Sequence, residues 1–150
     1  MKGLFRLKTA KDLLGKLRHD LQRLTSDPVN EYAAFDFFVT ARHMPEWLYP
    51  GDSKKQALLF QQHILLQVCR HIADGSKHFE ATASYHTSVK DTSLEGAAFQ
   101  PGVFQPTAFQ VGHLIVTLDG PAATHFGATI EVTTLAMKIF TFWETHPDLH

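Results

Sequence analysis

Residues 53–79 read SKKQALLFQQHILLQVCRHIADGSKHF, and this stretch organises the chain. Ala57, Leu58, Leu59, Phe60, Ile64, Leu65, Leu66, Val68, Ile72 and Ala73 recur at three- and four-residue intervals around most of a helical circumference. A helix apolar on so many sides has to lie centrally, because few of its faces can meet water. Asp52 or Ser53 is placed to cap its first turn, and Gly75 is placed to take the left-handed position after its last. At that end stands a knot of ionisable residues: Arg70, His71, Asp74, Lys77 and His78.

Working toward the N-terminus, Leu13, Leu14, Leu17, Leu21 and Leu24 form one stripe over about residues 9–24, with Lys11, Lys16, Arg18 and Arg23 off it. Thr9 and Asp12 have the spacing of a capping box. A second helix opens at Ser26 or Asp27, with Pro28 at its first position, and runs to about His43, where Pro45 ends or kinks it. Its phenylalanines and alanines make it a second central rod. Asp36 is the exception among them, and an ionised carboxylate in such company needs a partner or a route to water. Bonding to His43, Arg70 or a backbone amide would satisfy it; a chemical role is the other possibility.

Toward the C-terminus the period changes from helical to alternating. Phe79, Ala81, Ala83, Tyr85 and Val89 alternate with polar residues and predict a half-buried strand. A long loop is expected over 91–107, where Phe99, Val103 and Phe104 either pack on the body or serve an interface. A second strand follows over 109–118, apolar on both faces and therefore central, then a turn at Asp119-Gly120 and a short strand over 126–132. Thr133 or Thr134 caps a last helix that Pro147 stops. The expected fold is α+β: a single domain over residues 1–150, with four helices and a three-stranded antiparallel β meander inserted between helices 3 and 4.

At 150 residues one domain buries roughly two thirds of the surface of its unfolded chain. Cys69 is the only cysteine, so neither an internal disulfide framework nor a thiolate metal site can form. With no apolar run of membrane-spanning length and no signal-peptide pattern at the N-terminus, the expected location is the cytoplasm, with no membrane partner. Residues 1–26 hold seven Lys or Arg against two Asp, the remainder seven against thirteen acidic residues. A basic first helix fits either an anionic partner or an acidic body of its own.

Three readings of function follow. Aromatic residues around Trp47, Leu48 and Tyr49 and in the 99–104 loop point to an interface, and hence to a small binding or interaction protein that self-associates as a homodimer or takes a protein partner, with no cofactor. His86, His113 and His125, one on each expected strand, would be a metal site if register made them converge. The third rests on a resemblance. Two helix pairs interrupted by a β insertion, with Arg70 and a polar residue leading toward His78, resemble the HEPN superfamily of small helical RNA-associated proteins. That likeness implies a metal-independent ribonuclease, or an RNA-binding protein, whose composite site two protomers share. Arg70 would then stabilise the developing charge on phosphorus, His78 would act as general acid or base and Lys77 would contact phosphate; Asp36 is a further candidate. The phrases DFFVTARHMPEWL at 36–48 and ADGSKHF at 73–79 are also similar to a group of uncharacterised bacterial proteins, a likeness that implies no activity.

Overall fold

The structure is a computed structural model that describes residues 1–96 and 112–150. Helices α1 (Ala10–Ser26), α2 (Glu31–Leu48), α3 (Ser53–Gln62) and α4 (Ile64–His78) come first. Strands β1 (Val89–Glu95) and β2 (His113–Leu118), the short helix α5 (Gly120–Phe126), strand β3 (Thr129–Glu131), helix α6 (Val132–Glu144) and a 3-10 turn at Pro147–Leu149 follow.

The stretch at 53–79 forms two helices. At His63 the backbone is extended (φ −126°, ψ 104°), closing α3 and opening α4. Apolar periodicity cannot reveal a break one residue long, since the apolar pattern continues across it. The break carries its own compensation: the Phe60 carbonyl near the break accepts instead from the Gln67 side chain at 2.8 Å. The His63 ring meets Phe142 of α6 edge-on, 4.8 Å between centroids. The expected insertion of the sheet between helices 3 and 4 is therefore wrong. Among the described residues there are six α-helices, and the strands follow the fourth. Gly75 lies inside α4, which runs on to His78 and closes at Phe79 with a positive φ of 68°.

The other boundaries move for local reasons. Thr9 and Asp12 form the capping box, with the Thr9 hydroxyl accepting from the Asp12 amide at 3.2 Å. The α2 cap is Asn30 rather than Ser26 or Asp27, because the Asn30 side chain accepts from the Ala33 amide at 3.0 Å while α1 continues to Ser26. Helix α2 passes through Pro45 to Leu48; Met44 and Pro45 are buried, and Trp47 and Leu48 pack on the core, which outweighs one missing amide bond.

Residues 79–88 form no strand. β1 begins at Val89, the end of the expected strand, runs on to Glu95 where the loop was expected, and pairs antiparallel with β2 in a register including Thr92↔Val116 and Leu94↔Leu114. β3 pairs with β2 on its other side through Val116↔Ile130, so β2 is central as its two-sided apolarity predicts. Asp119-Gly120 opens α5 instead of a hairpin; the Asp119 side chain accepts from the Gly120 amide and Pro121 occupies the first turn, where its missing N–H costs nothing. Phe99, Val103, Phe104 and residues 109–111 of the expected second strand lie outside the described residues.

The core runs between α1, α2, α4 and α6, with Leu17, Phe37, Phe38, Met44, Val68, Leu135, Ile139 and Trp143 fully or almost fully buried. Leu114, Val116 and Ile130 of the sheet close it on one side. Within this apolar interior α1 and α2 are joined by a closed polar triangle. Lys16 Nζ donates to buried Asp20 at 2.6 Å and to Thr40 Oγ1 at 2.8 Å, and Thr40 donates to Asp20 at 2.7 Å. Much of the basic charge of α1 is met within the molecule, since Arg18 also pairs with Glu144 at 3.0 Å and Arg23 with Asp36 at 2.7 Å. No helix among the described residues is long and apolar enough to cross a membrane.

Candidate functional site

The polar cluster of the molecule is built on α4, whose apolar face buries Leu66, Val68, Cys69, Ile72 and Ala73 and so turns Arg70, His71 and Asp74 to its margin. Segment 79–88 folds back along that margin. An added Cβ on Gly75 would sit 3.8 Å from Ala81 Cβ, so this part of α4 lies against the returning chain. Further along, Tyr85 and His86 stand by Arg70, His71 and Asp74, and Ser88 and Val89 reach His71.

Asp74 is the hub. Its Oδ1 accepts from Arg42 Nε of α2 at 3.2 Å, and its Oδ2 lies 3.2 Å from His86 Nε2. Arg42 also donates to Glu46 at 3.1 Å. The phrase on α2 and the phrase on α4 singled out in the sequence therefore meet through Arg42 and Asp74. The His86 side chain is only 2% exposed, and its ring lies 4.8 Å from that of His71.

The two histidines are held neutral. His71 Nδ1 accepts from the Val89 amide at 3.0 Å and the Ser88 amide at 3.3 Å, which fixes the proton on Nε2. Burial, and next the neighbouring His86, pull the His71 pKa below its ordinary value. Burial also lowers that of His86, against the favourable pull of Asp74. His86 donates through Nε2 to Asp74, leaving Nδ1 sealed and without a partner among the described residues. Neither ring is an accessible base.

Arg70 shares the Phe60 ring with Arg42, whose guanidinium carbon lies 5.2 Å from its centre, but unlike Arg42 it pairs with no carboxylate. Its guanidinium carbon lies 3.8 Å from the centre of the Tyr85 ring and 4.6 Å from that of Phe60, in cation–π contact with both. Burial lowers its pKa, and it remains a cation at neutral pH. Its Nε is sealed without an acceptor among the described residues.

The residues expected to act together are not gathered here. Asp36 is 43% exposed and pairs with Arg23 of α1, not with His43, Arg70 or a backbone amide. Lys77 and His78 are exposed in the last turn of α4, and eight residues of helix place His78 about 12 Å along the axis from Arg70. The three candidate metal histidines do not lie one to a strand. His86 precedes β1, His113 begins β2 with Nδ1 3.4 Å from Glu131, and His125 is in α5. Among the described residues no group of three or more His, Cys, Asp or Glu side chains is placed to hold a metal ion. Cys69 is buried, its thiol pushed up to about 12 by desolvation, and so is held as the thiol.

The aromatic loop is also not a free patch. Trp47, Leu48 and Tyr49 pack against the core, and the Tyr49 hydroxyl donates to Asp148. Apolar exposure lies elsewhere, at Tyr32, Phe35 and Leu94, the last two lining a groove of about 340 Å³ with Phe38, Ile72, Leu114 and Val116.

Sequence reading found Arg70, His71 and Asp74 as neighbours on one helix end but missed Arg42, Phe60, Tyr85 and the placement of His86. Arg42 had a signal, since it is a cation within a helix otherwise nearly free of them; Tyr85 and His86 had none, because their strand-like alternation hid a chain folding back on α4. No family model, curated protein or solved structure matches this chain.

Proposed function

We propose that this is a small cytoplasmic binding or interaction protein that works by self-association or by taking a protein partner, with the α4 margin around Arg70 as its contact surface. The observation that carries this reading is Arg70 itself, a cation held rigidly over two aromatic rings and bonded to no acceptor among the described residues. Arginine and tyrosine in close contact make up a common hot-spot composition at protein interfaces. Tyr85, 50% exposed, adds apolar surface of the kind interfaces cover. The His71 lone pair is engaged by two backbone amides and the His86 side chain is enclosed, so neither ring offers a free base at this place.

The opposing reading is a HEPN-like ribonuclease using Arg70 and His78. Incubation of the purified chain with end-labelled single-stranded RNA separates the two. The expected result is intact RNA with the wild-type protein. Cleavage that Arg70→Ala and His78→Ala each abolish, with thermal unfolding unchanged, would establish the ribonuclease and end the interaction reading.

A further inference from the structure

The residues before α1 form a defined turn. Leu4 and Leu7 exchange both backbone hydrogen bonds, the Leu4 N–H donating to the Leu7 carbonyl at 2.9 Å and the Leu7 N–H to the Leu4 carbonyl at 2.8 Å, so Phe5 and Arg6 are the two-residue tip of a small hairpin. Gly3 has a positive φ of 66°, and a Cβ there would collide with the Leu7 carbonyl oxygen, so the base of the hairpin requires glycine. Lys8 Nζ reaches back to the Lys2 carbonyl at 3.0 Å, and the Thr9–Asp12 capping box joins the hairpin to α1.

The tip goes against local preference. The first position of such a turn takes a positive φ, which glycine, asparagine and aspartate adopt readily. Here Phe5 adopts it, at φ 50°, with its side chain 86% exposed and Leu4 beside it 52% exposed. A bulky residue in the left-handed region is strained, and no burial of the ring offsets that strain. Charge is unmatched at the same place. Residues 1–12 hold Lys2, Arg6, Lys8 and Lys11 against the single carboxylate of Asp12. The ion pairs among the described residues go to Lys16, Arg18, Arg23, Arg42, His86 and His113, and to none of these four. The cations farther along α1 are answered by Asp20, Glu144 and Asp36; those of the hairpin are not.

An exposed apolar tip within a run of unmatched cations suits the surface of an anionic bilayer. The ring and the leucine enter the acyl boundary, while lysine and arginine stay at the headgroups on their apolar stems. A single-stranded nucleic acid would use the ring and the charges but leave Leu4 without a role; a bilayer takes all of them. We infer that the hairpin at residues 3–8 docks the protein on an anionic membrane surface, with Leu4 and Phe5 as the apolar wedge and Lys2, Arg6, Lys8 and Lys11 as the headgroup contacts. The expectation of no membrane partner rests on the lack of a spanning run, and a contact with the surface needs none.

The test is sedimentation of the full chain with phosphatidylcholine vesicles containing about a third phosphatidylserine, beside vesicles of phosphatidylcholine alone. Binding to the anionic vesicles is expected to fall steeply as salt is raised, with little binding to the neutral ones. Arg6→Gln should weaken it about fivefold. Phe5→Gly is the sharper variant, since glycine keeps the turn and removes only the ring; it should weaken binding about tenfold without lowering thermal stability. Phe5→Trp distinguishes a wedge from a contact of charges alone: on anionic vesicles its emission, taken as the difference from the wild-type spectrum, should move to the blue. No preference for anionic vesicles, binding undiminished in Phe5→Gly, or an unmoved tryptophan emission overturns the inference. Absent vesicle binding beside single-stranded RNA binding that Phe5→Gly weakens overturns it too, and assigns the hairpin to nucleic acid.

Discussion

Two polar clusters sit on the helical core, and they are built to opposite rules. The Lys16–Asp20–Thr40 triangle between α1 and α2 is closed: each side chain meets the other two, and Asp20 is 2% exposed. The Arg42–Asp74–His86–Arg70 cluster is open, holding two of the three sealed, unpartnered side-chain atoms among the described residues, Arg70 Nε and His86 Nδ1. A sealed polar atom without a partner costs about 1–3 kcal/mol. The difference marks the first cluster as a pin for two helices, while the second holds α4 to α2 and to the returning chain without pairing Arg70 to a carboxylate.

The largest expected effect is on the pin. Asp20→Ala removes the shared acceptor and leaves the buried Thr40 hydroxyl without it, while the Lys16 ammonium, 39% exposed, turns to water, so unfolding by urea should show a loss of about 2–3 kcal/mol. Asp74→Ala should cost less, about 1–2 kcal/mol, because Arg42 keeps Glu46 and part of the cluster faces water. Equal losses would erase the distinction between the two clusters.

A pH titration of stability sharpens it further. His71 and His86 have pKa values below the ordinary 6.5 in the folded chain, so below pH 6.5 the unfolded chain takes up protons that the folded chain refuses. Their contribution is complete above pH 6.5 and is lost as the pH falls below it. His86→Asn, which keeps a donor for Asp74 but does not titrate, should flatten that slope in chemical denaturation at pH 7 and pH 5. A steeper slope, or none in the wild type, would show that the rings are not held neutral. The smallest effect belongs to Arg23 and Asp36: both side chains are more than a third exposed, and a double-mutant cycle should return a coupling indistinguishable from zero.

Legibility in the sequence followed the length of the signal. Long stripes such as Leu13–Leu24, and the near-continuous apolarity of α2 and α4, identified the central elements because each residue repeats the same instruction. The two-sided apolarity read over 109–118 marked the middle strand, which the described residues show from His113 to Leu118. Where a single residue decided, reading failed. His63 broke a helix that periodicity ran through, Asn30 took a cap that Ser26 or Asp27 also had the chemistry to make, and Pro45 did not stop a helix whose next turn packs on the core. The knot at residues 70–78 was visible as composition, but which of its members matter was not: Lys77 and His78 point away, while Asp74 takes the centre through Arg42, 32 residues earlier.

By itself, the order of residues determined an α+β chain with two apolar helices at its heart and an antiparallel meander, since burial of apolar side chains at helical or alternating spacing is a local, repeated preference. Only the tertiary structure decided which charges are answered. An ion pair depends on where two distant backbones come to lie, so Asp36 went to Arg23, Asp74 to Arg42 and His86, and Arg70 was left with two aromatic rings and no acid of its own.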